Sequence, residues 1–387
     1  MDRRTFVTHM CYGGMATFAL PSVSFAQGGQ SGRLVFVLLR GGFDGLAALV
    51  PHGDPSYRSL RGTFAYETSD LTDLDGTFGL APGLAPLREF WDRDELAAVH
   101  AMAIPHRTRS HFDGQAILET GLDRPIGSSD GWLNRLLQVM SGRRSGIAIA
   151  AGMPLSLTGP YSVETWSPTQ LGVVDDAFLE RLAVLYRTDA ALANRFEAAL
   201  QQKDVVGEEQ MARGNARQGG VSPLMQAAAR ILRQDAGPNI AAMEFSGWDT
   251  HANQGLAGGA LDRLLGQLAD GLVAFRAEMG QAWTDTTVVV MTEFGRTARP
   301  NGTRGTDHGT AGAGFVLGSR VATSRVLSDW PGLSDKALYE GRDLKPTLDT
   351  RAVLKAALAG TFDLTAAQIE RVFPESAGVG AATGLMG

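Results

Sequence analysis

The chain of 387 residues is long enough for two average domains or one large one, and at 44% hydrophobic and 20% charged it can build a sizeable core. That excludes a disordered or fibrous protein. A net charge of −6, from 35 basic and 41 acidic residues, argues against a nucleic-acid binder held by backbone phosphates.

In chain order, the first feature is a targeting segment. Arg3 and Arg4 precede a weakly apolar stretch, Met10 to Leu20, and Ser24-Phe25-Ala26 places small residues at both cleavage-determining positions. The sequence thus predicts a twin-arginine signal over residues 1–26, cleavage after Ala26, and a single domain over 27–387 in the periplasm or outside the cell. Beyond residue 26 no apolar run reaches the roughly 18 residues that span a bilayer, so no stable membrane insertion is expected. The single cysteine, Cys11, falls in the signal. A mature chain without thiols forms no disulfide and holds a metal only through oxygen and imidazole ligands.

Short runs that are apolar on both faces follow: Arg33–Leu39, Leu96–Met102, Ile147–Ala151, Asn239–Phe245, Thr286–Thr292 and Gly312–Leu317. They read as strands of a parallel sheet covered by helices. Helical spacing runs over Asp175–Gln202, Pro223–Gln234, Ala260–Met279 and Thr347–Ala359. In the third of these, Leu261, Leu264, Leu265, Leu268, Leu272 and Phe275 share one stripe. The polar segment Lys203–Ser222 reads as a surface loop or linker. No repeat of 20–50 residues appears. The alternation predicts an α/β fold, a three-layer α/β/α sandwich with a mostly parallel central sheet.

Ligands of open α/β sheets bind at the carboxyl ends of the strands. The loops there carry Gly41-Gly42-Phe43-Asp44-Gly45, His106 to Asp113, Trp248-Asp249-Thr250-His251, Glu293-Phe294-Gly295-Arg296-Thr297 and, ahead of the Gly312 strand, Asp307-His308-Gly309. Each has an ordinary reading. Asp44 suits an Asx turn, Asp249 or Ser110 a helix cap, and Asp307 a carboxylate that orients His308. Together, Asp44, Asp249, His251, Glu293, Asp307 and His308 crowd one sheet edge, which is costly without a cation and suits a divalent metal. Imidazole favours zinc or manganese, while magnesium and calcium remain open. Arg109 and Arg296 in the same loops are placed to grip an anion. Nothing indicates a nucleotide, since the glycine-rich turn lacks G-x-G-x-x-G spacing and no Walker sequence occurs.

With Leu34 to Asp44, Arg109-Ser110-His111-Phe112, Trp248 to His251, Thr292 to Thr297, Asp307-His308-Gly309 and Asp349-Thr350-Arg351 in this order, the chain resembles a twin-arginine-exported bacterial family. That family is domain of unknown function 1501, similar to the alkaline phosphatase/sulfatase superfamily. The resemblance implies an alkaline-phosphatase-like fold and an exported metal-dependent hydrolase of phosphate or sulfate esters. It further implies Ser110 as nucleophile, helped by Arg109 and Arg296, and one or two metal ions on Asp44, Asp249, His251, Glu293, Asp307 and His308. The chain departs from the superfamily at Glu293-Phe294, where Asp-His is expected, and in the close spacing of Asp249 and His251. Both departures leave a one-metal site open. His111 is expected to point elsewhere on its helix. The implied partners are an anionic small-molecule or polymer ester and, during export, the twin-arginine translocase. The competing reading is a non-catalytic extracytoplasmic binding or assembly protein that keeps the fold and a structural metal.

Overall fold

Why β1 (Arg33–Arg40) is apolar throughout is plain once its two faces are followed. Val35, Val37 and Leu39 join one buried cluster, and Leu34, Phe36 and Leu38 join the other. A strand alternates its side chains, so only one covered on both sides can be hydrophobic at every position. The computed structural model describes residues 32–140, 145–167 and 220–387, with residues 183, 186 and 193. The targeting segment, most of the predicted helix 175–202 and most of the predicted loop 203–222 lie outside the described residues. Ser31–Gly387 form one compact unit.

After β1, the main elements are β2 (Leu96–Ala103), α1 (His111–Thr120), α2 (Trp132–Met140), β3 (Gly146–Ile149) and β4 (Glu164–Trp166). Then come α3 (Val221–Leu232), β5 (Ile240–Ser246), α4 (Ala260–Met279), β6 (Thr286–Met291) and β7 (Gly312–Leu317). The chain closes with β8 (Arg325–Leu327), β9 (Leu348–Asp349), α5 (Thr350–Thr361) and α6 (Ala366–Val372). The nine-stranded sheet runs β8-β2-β7-β6-β1-β5-β3-β4, with β9 beside β2. All its pairings are parallel except those of β7, which runs against both β6 and β2. A three-layer α/β/α sandwich on a mostly parallel sheet results. A small three-stranded sheet stands apart from it.

α3 and α4 cover one face, with Leu261, Leu265, Leu268, Leu272 and Phe275 of α4 in the cluster that holds Val35 and Val37. The other face takes Trp132, Leu133, Leu136 and Leu137 of α2 and Val353, Leu354, Ala357 and Leu358 of α5. Trp132 meets Phe36 edge-on, ring centroids 5.3 Å apart, and truncating a buried aromatic of this kind to alanine costs about 3–5 kcal/mol. Among the described residues no helix is long and apolar enough to cross a membrane.

Strand direction decides what reaches the carboxyl edge. β1, β2, β5 and β6 end there. Because β7 is reversed, the loop before it arrives at the same edge, and five loops meet.

Candidate metal centre

The loop after β1 passes between those after β5 and β6 only because it is glycine. Gly41 (φ +128°) and Gly42 (φ +68°) take conformations that L side chains rarely adopt. A Cβ on Gly41 would lie 2.5 Å from the Asp249 amide nitrogen, and one on Gly42 2.4 Å from the Phe294 ring. After β2, Ser110 caps α1 by accepting from the Asp113 amide at 3.4 Å, and His111 follows as the first helical residue. β5 delivers Asp249 and His251. β6 is followed by Thr292, Glu293 and Phe294, and His308 is bridged to Arg296 just ahead of β7.

Three imidazoles are held from behind by their Nδ1 atoms. His308 Nδ1 donates to the Arg109 carbonyl oxygen at 2.8 Å. His111 Nδ1 lies 2.8 Å from Glu293 Oε1, and His251 Nδ1 lies 3.1 Å from Asp307 Oδ1. A carbonyl or carboxylate at Nδ1 fixes the proton there and leaves Nε2 as a lone-pair donor on the opposite side. Those Nε2 atoms converge on Asp249. His308 Nε2 is 3.1 Å and His251 Nε2 3.0 Å from its Oδ1, and the two nitrogens are 2.9 Å from each other. His111 Nε2 lies 3.4 Å from Asp249 Oδ2 in a geometry that makes no hydrogen bond, and it is buried without a partner. The ligand atoms of His111, Asp249 and His308 all lie within 4.8 Å of one another. Lone pairs facing a carboxylate repel unless a cation sits between them, and nitrogen and oxygen donors of this type suit a divalent transition metal.

The charges favour the ligand forms. Burial acts to raise the Asp249 carboxyl, but the Arg296 hydrogen bond and charge, with His251, outweigh it and hold the group below the ordinary carboxylate range. Arg296 is itself buried, with Nη1 2.6 Å from Asp249 Oδ1 and Nη2 donating to the Thr306 carbonyl oxygen at 2.7 Å. Burial pushes the His308 imidazole below its usual value, which favours the neutral ligand form. Asp307 is held low by the Asn301 amide first and by His251. The Phe294 ring lies 5.0 Å from both His111 and His308, centroid to centroid, and packs them together.

The structure corrects several expectations. Asp44 takes no place in this group. It is buried against Arg61, Oδ2 to Nη2 2.7 Å, and accepts from Gln254 Nε2 at 2.8 Å, so its charge is neutralised away from the imidazoles. Glu293 is also no inward-facing ligand. Its Oε1 serves His111, the Gly41 amide and Gln115, and its Oε2 accepts from Thr292. Asp307 stands behind His251, not beside His308. The Arg109 fork is occupied by Asp343 and Glu340 and is not free for an anion; the residue contributes its carbonyl instead. Arg296 is likewise spent on Asp249 and Thr306.

His111, expected to point away, is part of the centre, and His106 is exposed outside it. The pointer was the run of imidazoles after β2. The direction in which α1 leaves the sheet decided which of them faces inward.

A histidine–carboxylate group of this kind, at the carboxyl edge of an α/β/α sheet, defines a candidate divalent-metal centre. The chain belongs to the family described as "Protein of unknown function (DUF1501)", which matches residues 91–373. No curated protein matches it significantly. Similar solved structures include the zinc-bound C-terminal periplasmic domain of EcEptC from Escherichia coli, at 11% identity over 74% of this chain and 72% of that one, TM-score 0.38. A protein of the alkaline phosphatase superfamily from Vibrio parahaemolyticus is 12% identical over 85% and 65%, TM-score 0.41. The PsFucS1 sulfatase from Pseudoalteromonas sp. is 13% identical over 92% and 73%, TM-score 0.39.

Proposed function

We propose that this protein is an exported hydrolase of phosphate or sulfate esters that uses one divalent ion, zinc or manganese ahead of magnesium or calcium. Asp249 and His308 would hold the ion, with His111 and His251 as further donors. The observation that carries the reading is the convergence of imidazole Nε2 atoms on Asp249, with the buried His111 Nε2 making no hydrogen bond. Access supports catalysis over a sealed structural site, because the Asp249 and His251 side chains are 41% and 44% exposed.

When bound, the ion supplies Lewis-acid polarisation of the ester's non-bridging oxygens. The chain does the rest. Glu293, Asp307 and the Arg109 carbonyl keep three imidazoles in the tautomer that presents Nε2. Arg296 keeps a positive charge against Asp249, in the place where a two-metal enzyme would need a second cation. Ser110 stands next to His111 at the start of a ten-residue helix, whose amides favour an anion. We assign its hydroxyl as the attacking group: Oγ accepts a capping bond and retains its own proton to lose. Arg3-Arg4 and the small-residue site before Gln27 support export through the twin-arginine translocase.

The second reading, a non-catalytic protein with a structural metal, has one observation in its favour. His111, Asp249, His251 and His308 are numerous enough to fill a tetrahedral shell. Metal analysis and turnover of 4-nitrophenyl phosphate and 4-nitrophenyl sulfate, on wild type, His308→Ala and Ser110→Ala, separate the two. We expect one ion per chain in wild type, loss of most of it in His308→Ala, and metal retained without turnover in Ser110→Ala. Stoichiometric metal with neither ester hydrolysed would establish the second reading, and a metal-free chain after reconstitution would sink both.

A further inference from the structure

Beside the metal centre lies a cavity of about 410 Å³, lined by Thr63, Phe64, Asn253, Gly255, Leu256 and Arg304. We infer that it receives an anionic ring of the ligand, with Arg304 reading the charge; as a statement about substrate this rests on the hydrolase reading above. Arg304 is the one charged residue in the lining. Arg304 and Asn253 are both exposed, and among the described residues neither side chain makes a hydrogen bond or ion pair within the protein. Phe64 and Leu256 supply apolar wall. An open groove of this size, with a partly apolar wall, one solvent-facing guanidinium and one amide, fits a single ring bearing a carboxylate, sulfonate or second ester anion.

The backbone supports a ligand role. Asn253 (φ +50°) and Arg304 (φ +59°) both sit in the left-handed region, unusual above all for arginine, and such conformations concentrate where a binding surface is held in place by its surroundings. Here the surroundings are visible. The Asn253 amide donates to the Thr303 carbonyl oxygen at 3.1 Å, and the Gln254 amide to that of Arg304 at 2.9 Å. The same loop grips the metal-side histidine: Thr303 Oγ1 and Asn301 Nδ2 donate to the His251 carbonyl oxygen at 2.6 and 2.9 Å. The cavity wall and His251 therefore form one hydrogen-bonded unit.

The probe is benzoate, with benzamide as its neutral counterpart, titrated by ligand-observed NMR into the chelator-treated full-length protein, where no metal can bind the carboxylate. We expect benzoate to bind in about the millimolar range for a ligand of this size. Arg304→Asn, which keeps a residue tolerant of the left-handed region, should weaken it about tenfold and leave benzamide unchanged. Leu256→Ala should weaken both. Benzoate affinity that is undetectable, or equal in wild type and Arg304→Asn, overturns the proposal.

A second arm tests the link to turnover in metal-loaded protein. The KM for 4-carboxyphenyl phosphate should rise about tenfold in Arg304→Asn while kcat, and both constants for phenyl phosphate, stay unchanged. If both constants change together for both esters, Arg304 does not read the ring. If wild type hydrolyses neither ester, the hydrolase reading fails and the benzoate titration alone decides the cavity.

Discussion

Asp44 shows how a single residue can satisfy a motif and still not serve it. It follows β1 in the expected place, yet Arg61 reaches it from the helical turn 57–61, and the pair is buried to 1% and 0% exposure. A buried ion pair adds little net stability, but stripping one partner leaves an uncompensated charge. Arg61→Leu should therefore destabilise the fold by about 3–5 kcal/mol, and Arg61→Leu with Asp44→Asn should recover part of the loss. Urea unfolding of the two variants checks this, and Asp44→Asn alone should keep its metal. Equal destabilisation in the single and double variants would mean that packing, not charge, is what Arg61 contributes. At this scale the gathering of Asp249, His251 and His308 was legible because polar residues in the loops that flank apolar strands, after β5 and before β7, emerge at the sheet edge. Glu293 and Asp307 were read as ligands and stand instead behind His111 and His251, since whether a carboxylate faces inward or backs an imidazole is settled by distances no linear pattern contains.

Helix α1 is the element on which the centre most depends, and it carries a control at each end. Ser110 caps its start beside His111. Gly121 closes its end in the left-handed conformation, φ +68°, where a Cβ would stand 2.6 Å from the buried Phe373 ring. Gly121→Ala should cost about 2 kcal/mol from backbone strain and this clash, seen as a lower urea midpoint, while metal content stays at the wild-type level because His111 lies a helix length away. Loss of metal in that variant would show that the two ends are coupled. The long strands and α4 announced themselves within a residue or two, since burial on two faces leaves an unbroken apolar run. By contrast α2 was not identified, and of α1 only the start near His111, with Ser110 as its cap, was read, not its length. In α1 the run HFDGQAILET buries mainly its last half, so no full-length stripe forms. Nor could the reversed direction of β7 be read, because GAGFVL is equally apolar in either sense.

For the molecule as a whole, acid stability is expected to rest partly on His100 in β2. It is fully buried against Phe78 and Trp330, and its Nδ1 accepts from the Ala101 amide at 2.8 Å. Burial pushes its pKa down to about 4. Above about pH 6.5 the imidazole is neutral in both folded and unfolded chains and costs nothing. Between 6.5 and 4 the unfolded chain takes up a proton that the folded chain refuses, so stability falls with pH by about 1.4 kcal/mol per unit, on the order of 3 kcal/mol in all. Unfolding free energies of wild type and His100→Gln across this window should diverge in slope, wild type being the steeper. Parallel slopes would assign the acid sensitivity to the carboxylates instead.

The reversal of β7 has a consequence for when the centre comes into being. His308 and the Arg109 carbonyl that holds it are 199 positions apart, and they meet only after a strand from late in the chain has slotted in between β2 and β6. No shorter portion of the polypeptide brings all the donors together, so on the proposed reading the ion is captured last, as a seal on a finished sheet. Its binding then adds to the stability of a sheet that is already folded. Scarcity of the metal would show first as finished but idle copies of the protein, each a little easier to unfold.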